Sequence, residues 1–155
     1  ENNIKSKHCE DCGFIYYFNS SASTVALILN EKDELLVATR AHEPAKGTLD
    51  LPGGFVDMYE TGEDAVRREV KEETGLDIDS VHYLFSIMNL YTYSGFDVHT
   101  LDLVYRCDVA NTNVLKAEDD VAKLEFIKIS DLEPEKFGLR SVSEIIKKIQ
   151  KGSVI

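Results

Sequence analysis

The chain has 155 residues, of which 43% are hydrophobic and 29% are charged. This composition is typical of one globular domain and excludes a disordered or fibrous chain. The formal net charge of -11 disfavours binding of nucleic acid through a basic face and suits divalent cations. The longest apolar run, Thr24 to Leu29, is too short to span a bilayer, and no signal-peptide pattern opens the chain. We therefore expect a cytoplasmic protein without a membrane partner.

The polar amino-terminal segment, residues 1–21, is predicted to be separate from a main domain that spans residues 22–155. It contains Cys9 and Cys12 in a Cys-x-x-Cys-Gly pattern. Because a structural zinc site takes four ligands, this pair supplies half of one. The third cysteine, Cys107, falls in a predicted strand and is interpreted as a small core residue. Three unevenly spaced cysteines form a poor disulfide framework, which favours a reducing compartment.

Two apolar segments follow, Thr24 to Leu29 and Leu35 to Arg40, separated by residues of turn composition. This arrangement predicts a β-hairpin in which Arg40 ends the second strand facing solvent. Arg40 is a candidate substrate-binding residue. Residues 51–56 then predict a short strand interrupted by Pro52-Gly53-Gly54, where small residues allow a tight turn and a close approach of the backbone to a ligand.

A helix is predicted from Gly62 to Thr74, because Thr61 is a good N-cap and Gly75 a good stop signal. The remaining predicted elements are an antiparallel strand pair, a further strand and a second helix that begins with a capping box. Their ranges are Val81 to Met88, Thr100 to Val109, Leu124 to Ile129 and, for the capping box, Ser141 to Glu144. The pattern indicates a mixed sheet flanked by two helices.

Three glutamates of the first helix, Glu69, Glu72 and Glu73, project from one side at helical spacing. Three like charges at this separation repel each other. Many such clusters are simply solvated acidic faces. A hard cation such as Mg²⁺ or Mn²⁺ would remove the conflict, because it prefers oxygen ligands.

The residues around these glutamates decide between the two interpretations. From Gly54 to Leu76 the sequence reads GFVDMYETGEDAVRREVKEETGL. It matches the Nudix box, in which G, E, R-E-aliphatic, E-E and G-aliphatic occur at fixed spacing. Agreement at every specified position is far more specific than a short motif. The chain therefore resembles the Nudix hydrolases, and the resemblance extends more loosely from Ala22 to Ile149.

The resemblance implies an α/β fold, namely an α/β/α sandwich with a mixed β-sheet between helices. It also implies a pyrophosphohydrolase that uses Mg²⁺ or Mn²⁺ to activate water and cleaves a phosphoanhydride bond in a nucleoside diphosphate linked to another moiety. Glu69, Glu72 and Glu73 are then the principal metal ligands, and the backbone of Gly54 is expected to add a carbonyl. Arg68 is expected to orient a carboxylate through bidentate hydrogen bonds.

Two further residues complete the predicted catalytic set. Glu60 is expected to assist from the loop before the helix, and it is also a candidate partner of Arg68. The general base is either Glu69 or Asp120, because Nudix hydrolases take this group from the box helix or from a distal loop. Asp120 belongs to the acidic run 118–120, which an ordinary acidic surface loop explains equally well.

The Cys9 and Cys12 pair resembles part of the zinc ribbon that precedes the Nudix domain in NADH pyrophosphatases. This resemblance implies Zn²⁺ if a first cysteine pair precedes Glu1, and a metal-free pair of thiols is the alternative. The Ser-Gln-Pro-Trp-Pro-Phe-Pro signature of those enzymes is absent and the chain has no Trp, which disfavours NADH as the substrate. In the corresponding stretch, Tyr91 and Tyr93 either stack on a substrate base or pack beside the sheet.

Two rival functions remain at this stage. A Nudix fold that senses a nucleotide metabolite without turnover is the main alternative, although the complete acidic set favours catalysis. An adaptor role for the Cys-x-x-Cys segment is disfavoured for nucleic acid by the acidic balance. A small-molecule nucleotide is therefore the expected partner, and the sequence is compatible with a homodimer.

Overall fold

The structure, a computed structural model, describes residues 5–117 and 119–152, without the side chains of Tyr91 and Tyr93. Within this part of the chain the regular elements are two α-helices and eight β-strands. The helices are α1 (Gly62–Thr74) and α2 (Arg140–Gln150). The strands are β1 (Ser6–His8), β2 (Ile15–Tyr17), β3 (Ser21–Leu27), β4 (Glu34–Arg40), β5 (Leu49–Asp50), β6 (Ile78–Tyr93), β7 (Phe96–Val109) and β8 (Val121–Lys128). Neither helix is long and apolar enough to cross a membrane.

The strands form two three-stranded sheets and a small amino-terminal hairpin. The first sheet has the order β3-β7-β6 and is mixed, because β3 runs parallel to β7 while β6 is antiparallel to it. The second sheet has the order β5-β4-β8 and is antiparallel. The expected α/β fold with two helices is confirmed. The sequence predicts one mixed sheet, whereas in the structure the strands of the main domain form two separate sheets.

The predicted hairpin between the two apolar segments forms only beside its turn, because β3 and β4 belong to different sheets. Their backbone pairing is confined to this end, where Leu29 bridges Leu35 and the amide of Leu36 donates to the carbonyl of Ile28 at 2.9 Å. Both edges of β3 form backbone hydrogen bonds with other segments. One edge pairs with β7, and the other binds the segment 52–56 through backbone hydrogen bonds.

Each helix packs against a different side of the sheets. Residues of α2 share a core with alternate residues of β3 and β4, including Val25 and Leu35. Residues of α1 share a second core with the intervening residues, including Ala26 and Leu36. Both faces of these strands are therefore buried, which explains why their sequences read as continuous apolar runs. Cys107 belongs to the second core, as predicted, and burial raises the pKa of its thiol to about 12.

The second helix begins differently from the prediction. Its N-cap is Leu139, which makes no side-chain capping bond, and the predicted capping box from Ser141 is absent. Ser141 instead lies inside the first turn, fully buried, with an Oγ atom that has no hydrogen-bond partner within the described residues. Leu139 packs against the core formed with α2, so apolar contact replaces capping at this end.

The longest strand pair is confirmed, with β6 and β7 antiparallel and joined by the two-residue turn Ser94-Gly95. The alternation along β7 differs from what its sequence suggests. Leu101 is 41% exposed, whereas its neighbours Thr100 and Asp102 are buried. The polar side chains at this end of β7 therefore face the interior, next to the candidate site.

Candidate active site

The helix that carries the glutamates has both predicted ends. The Thr61 side chain accepts a hydrogen bond from the amide of Asp64, and the Asp64 side chain accepts one from the amide of Thr61. At the other end Gly75 adopts a left-handed conformation with φ of 73° and donates to the carbonyl of Lys71. These caps fix the register of α1, and with it the direction in which each glutamate points.

Arg68 forms hydrogen bonds with carboxylates of the helix and of the loop before it. Its Nε and Nη2 atoms donate to Oε1 and Oε2 of Glu60 at 2.7 and 2.9 Å. Its Nη1 atom donates to Glu69 at 2.8 Å and to Glu72 at 3.1 Å, and Nη2 also reaches the carbonyl of Phe55 at 3.0 Å. The bonds from Arg68 to Glu60, followed by one from the backbone amide of Asp57, lower the pKa of Glu60 to about 2. Arg68 therefore makes a bidentate contact of the kind expected, and its partner is Glu60.

Glu73 is the most buried of the three glutamates, at 8% exposure. Its Oε2 atom accepts a hydrogen bond from the amide of Gly53 at 3.0 Å. Burial raises the pKa of Glu73 to about 8, although the bond from Gly53 opposes the shift. The negative charges of Glu69, Asp50 and Asp120 reinforce it. A bound cation would stabilise the charged form of a buried carboxylate that lies among other carboxylates.

Glu69 lies directly against the glycine turn. A Cβ atom on Gly54 would lie 2.5 Å from the Glu69 carboxylate, so a side chain at this position would displace the carboxylate from where it lies. Burial raises the pKa of Glu69, while hydrogen bonding to Arg68 lowers it. The carbonyl of Gly54 accepts a hydrogen bond from the amide of Thr24 at 2.7 Å, so its role as a metal ligand stays a prediction.

The donor atoms of the three glutamates fit a hard divalent cation. They are carboxylate oxygens, which Mg²⁺ and Mn²⁺ prefer. Burial, with a smaller contribution from neighbouring carboxylates, raises the pKa of Glu69 and of Glu73, and a bound cation would stabilise their charged forms. Glu72 is more open, with 47% of its side chain exposed. Among residues 5–117 and 119–152 no three metal-ligating side chains converge on one point. Arg68 instead holds one oxygen of Glu69 and one of Glu72.

A cavity of about 200 Å³ opens beside Glu73 and the glycine turn. Arg40 lines it, and the prediction that this side chain faces solvent is wrong. Only 24% of the Arg40 side chain is exposed, because its guanidinium forms an ion pair with Asp50 and donates to the carbonyl of Pro44 at 2.7 Å. Arg40 therefore lies where a substrate-binding residue would be needed.

Asp120 lines the same cavity but is much more open. Its side chain is 72% exposed and lies 3.6 Å from the Nε2 atom of His42. The structure thus brings both candidate general bases to one site, since Glu69 packs against the glycine turn that lines the cavity. Glu118, the first residue of the acidic run, lies outside the described residues. The choice between Glu69 and Asp120 stays open.

Several polar side chains that line this cavity were not identified from the sequence. Four of them lie close together on the sheet, namely Ser23, Asn89, Thr100 and Asp102. In the sequence they look like the solvent-facing positions of half-buried strands. One signal in the sequence could have indicated them. Thr100 and Asp102 lie on the same face of β7 as the apolar Val104, because alternate residues of a strand share a face.

The roles predicted for two pairs of residues, Tyr91 with Tyr93 and Cys9 with Cys12, are not tested by the structure of this site. The side chains of Tyr91 and Tyr93 lie outside the described part of the chain. Cys9 and Cys12 lie in the turn between β1 and β2 and form no disulfide. Hydrogen bonds from the backbone amides of Cys12 and Asp11 lower the pKa of the Cys9 thiol. These two thiols alone do not complete a zinc site.

Comparison with known proteins identifies the family. The family model described as the NUDIX domain matches residues 20–147. The chain therefore belongs to the NUDIX domain family. A MutT NUDIX hydrolase from Burkholderia pseudomallei superimposes with a TM-score of 0.73 over 85% of this chain and 99% of that one, at 21% identity. At this identity the likeness shows the fold.

Two curated relatives illustrate the similarity in sequence. An ADP-ribose pyrophosphatase from Methanocaldococcus jannaschii is 37% identical over 107 residues, which cover 68% of this chain and 60% of the relative. An NAD-capped RNA hydrolase NudC from Stutzerimonas stutzeri is 29% identical over 129 residues, which cover 83% of this chain and 44% of the relative. The chain thus spans between roughly two fifths and three fifths of their lengths.

Proposed function

We propose that this protein hydrolyses a phosphoanhydride bond in a nucleoside diphosphate linked to another moiety, in a reaction that depends on Mg²⁺ or Mn²⁺. The observation that carries the proposal is the position of Glu69 and Glu73. Both carboxylates are held against the Gly53-Gly54 turn, at the side of a cavity lined by the same turn. A small nucleotide bound in the cavity would present its phosphates to these groups.

Glu69, Glu72 and Glu73 would hold the cation, which would acidify a water molecule and neutralise the phosphate oxygens. The protein's own contribution is to position these groups. Arg68 fixes the carboxylates of Glu60, Glu69 and Glu72 in one arrangement. The amide of Gly53 fixes Glu73. Either Glu69 or Asp120 would accept the proton of the attacking water.

ADP-ribose is the first substrate to test, because the relative from Methanocaldococcus jannaschii is named an ADP-ribose pyrophosphatase. A small-molecule nucleotide also suits the net charge of -11, which repels a polyanionic strand. The proposal therefore excludes capped RNA, although the relative from Stutzerimonas stutzeri is named for it. The cytoplasmic location, the domain boundary after residue 21 and zinc at Cys9 and Cys12 stay predictions from the sequence.

The alternative is a module that binds a nucleotide without turning it over. Every acidic position of the box is retained, and Glu60, Glu69 and Glu72 all share Arg68. A domain that only binds would not need this connected set. The arrangement therefore favours hydrolysis.

Product formation across a panel of substrates tests the proposal. The panel contains ADP-ribose, NADH, a dinucleoside polyphosphate, a nucleoside triphosphate, a nucleotide sugar and NAD-capped RNA, each assayed with Mg²⁺, with Mn²⁺ and with a chelator. We expect cleavage of ADP-ribose or a similar small compound that stops when the chelator is added and resumes with excess cation. Binding of a nucleotide by calorimetry without cleavage of any compound would favour the sensing module. Preferential cleavage of capped RNA would contradict the proposed substrate class.

A further inference from the structure

One wall of the cavity is polar and is built by three adjacent strands. Ser23 on β3 is paired in register with Asp102 on β7, and Thr100 on β7 is paired with Asn89 on β6. All four residues line the cavity that Glu73 also lines. This wall, formed by Ser23, Asn89, Thr100 and Asp102, is called here the polar wall.

Asp102 accepts the hydrogen bonds made within the polar wall. The hydroxyls of Ser23 and Thr100 donate to its Oδ1 atom at 2.5 and 2.6 Å. Its second oxygen, Oδ2, accepts no hydrogen bond from the described residues. Asp102 is only 5% exposed as a residue, and this oxygen keeps enough accessible surface to accept a hydrogen bond from water or from a ligand in the cavity.

Asn89 has a buried acceptor without a donor. The residue is 2% exposed, and its Oδ1 atom has no hydrogen-bond partner among the described residues. A buried carbonyl oxygen without a partner is destabilising compared with an apolar group of similar size. Selection for stability alone would therefore favour leucine at this position. A ligand that completes the hydrogen bonds of Asn89 accounts for its presence.

We propose that Asn89 and Asp102 form a specificity-determining subsite that binds a neutral part of the substrate carrying adjacent hydrogen-bond donors. The vicinal hydroxyls of a ribose and the amino edge of a nucleobase both have this chemistry. A phosphate does not fit, because its negative charge would face the carboxyl group of Asp102, and Asp50 lies near enough to interact with it. The inference rests on the proposed function, since the same cavity extends to Glu73.

The first test replaces Asn89 with leucine. We expect Asn89→Leu to raise KM for the preferred substrate about tenfold, the value of one hydrogen bond, with the effect on KM and not on kcat. The melting temperature should stay the same or rise, because a buried carbonyl oxygen without a partner is removed. A drop in melting temperature with unchanged KM would identify Asn89 as a purely structural residue and overturn the proposal.

Two serines provide a matched control pair. Ser23 and Ser80 each donate a hydrogen bond to an aspartate on β7 at 2.5 Å, to Asp102 in the cavity and to Asp108 outside it. Ser23→Ala should raise KM several-fold, because it alters the polar wall, whereas Ser80→Ala should leave KM within twofold. Equal effects of the two substitutions would contradict the proposal.

Substrate analogues identify which donor group is bound. The 2′-deoxy analogue and the inosine analogue of the preferred nucleotide are compared in the wild type and in Asn89→Leu. The analogue that lacks the bound donor should bind more weakly to the wild type and show a smaller further loss on Asn89→Leu. If Asn89→Leu weakens the binding of both analogues as much as it weakens that of the parent nucleotide, neither donor is recognised there, which overturns the proposal.

Binding measured by calorimetry separates this inference from the proposed function. Nucleotide affinity is measured in Glu69→Gln, in which we expect no turnover, with and without Asn89→Leu. A tenfold loss of affinity supports the subsite even if the wild-type protein cleaves no compound. Active wild-type protein together with an affinity unchanged by Asn89→Leu would overturn the subsite and leave the hydrolase proposal standing.

Discussion

Arg68 organises the candidate site more than any other single residue described. Its guanidinium contacts Glu60, Glu69 and Glu72 at 2.7 to 3.1 Å. A lysine has one charged nitrogen on a flexible chain and cannot reproduce this planar set of donors. Arg68 is therefore a positioning residue whose geometry matters as much as its charge.

We expect Arg68→Lys to lower kcat/KM by about 10- to 100-fold, the range typical of residues that orient metal ligands. Arg67→Lys is the control, because Arg67 is the neighbouring residue of α1 and binds the carbonyl of Ile78, away from the glutamates. Arg67→Lys should change kcat/KM less than twofold. Steady-state kinetics on both variants measures the difference, and equal effects would show that Arg68 has no special role.

The sequence predicts the residues of α1 and the turn before it well, because their types occur at fixed spacing. It does not predict the polar wall. Thr100 and Asp102 alternate with Leu101 and Leu103, so the local pattern indicates that the leucines face inward. The mixed sheet and the cavity reverse this at the end of β7, where Leu101 is exposed. Only the tertiary position of that strand end determines which side faces the interior.

At the level of secondary structure, the two helices show when capping signals can be trusted. In α1 the residue types and the observed bonds agree, with Thr61 and Asp64 bonded to each other. In α2 the sequence Ser-Val-Ser-Glu has the same capping signature, but the helix begins earlier, at Arg140. Burial of Leu139 against the core competes with the capping box and prevails.

We expect Thr61→Ala to lower the free energy of unfolding by about 1 kcal/mol through loss of the cap. Ser141→Ala should be neutral or slightly stabilising, because the Ser141 hydroxyl is buried without a hydrogen-bond partner among the described residues. Urea denaturation of the two variants measures both values. A loss of about 1 kcal/mol for Ser141→Ala would mean that the capping box does form.

For the whole molecule, the fold places the acidic helix between a core and a cavity. α1 packs on one face of β3 and β4 through Val66 and Val70, while the glycine turn beside β3 receives its glutamates. The sequence predicts the helices and most strands. It cannot predict the division into two sheets, because β3 pairs with the distant β7 and not with its neighbour β4.

Cation binding should stabilise the whole fold, because the concentrated negative charge of the site is then neutralised. Saturating Mn²⁺ at about 100 times its Kd should add roughly 2.7 kcal/mol to the free energy of unfolding. The melting temperature of the wild type should rise with Mn²⁺ concentration, and the rise should be smaller in Glu73→Gln. A melting temperature that does not respond to Mn²⁺ or Mg²⁺ would argue against a cation site on α1.

The central claim is that the glutamates on α1 carry out cation-dependent hydrolysis. Its most direct test is turnover of the preferred substrate by Glu69→Gln, with Glu63→Gln as control. Both substitutions remove one charge from the same helix, but Glu63 is exposed on the first turn and outside the contacts of Arg68. We expect Glu69→Gln to lower kcat by at least a hundredfold and Glu63→Gln to keep it within twofold. Near-normal turnover by a folded Glu69→Gln protein would contradict the account.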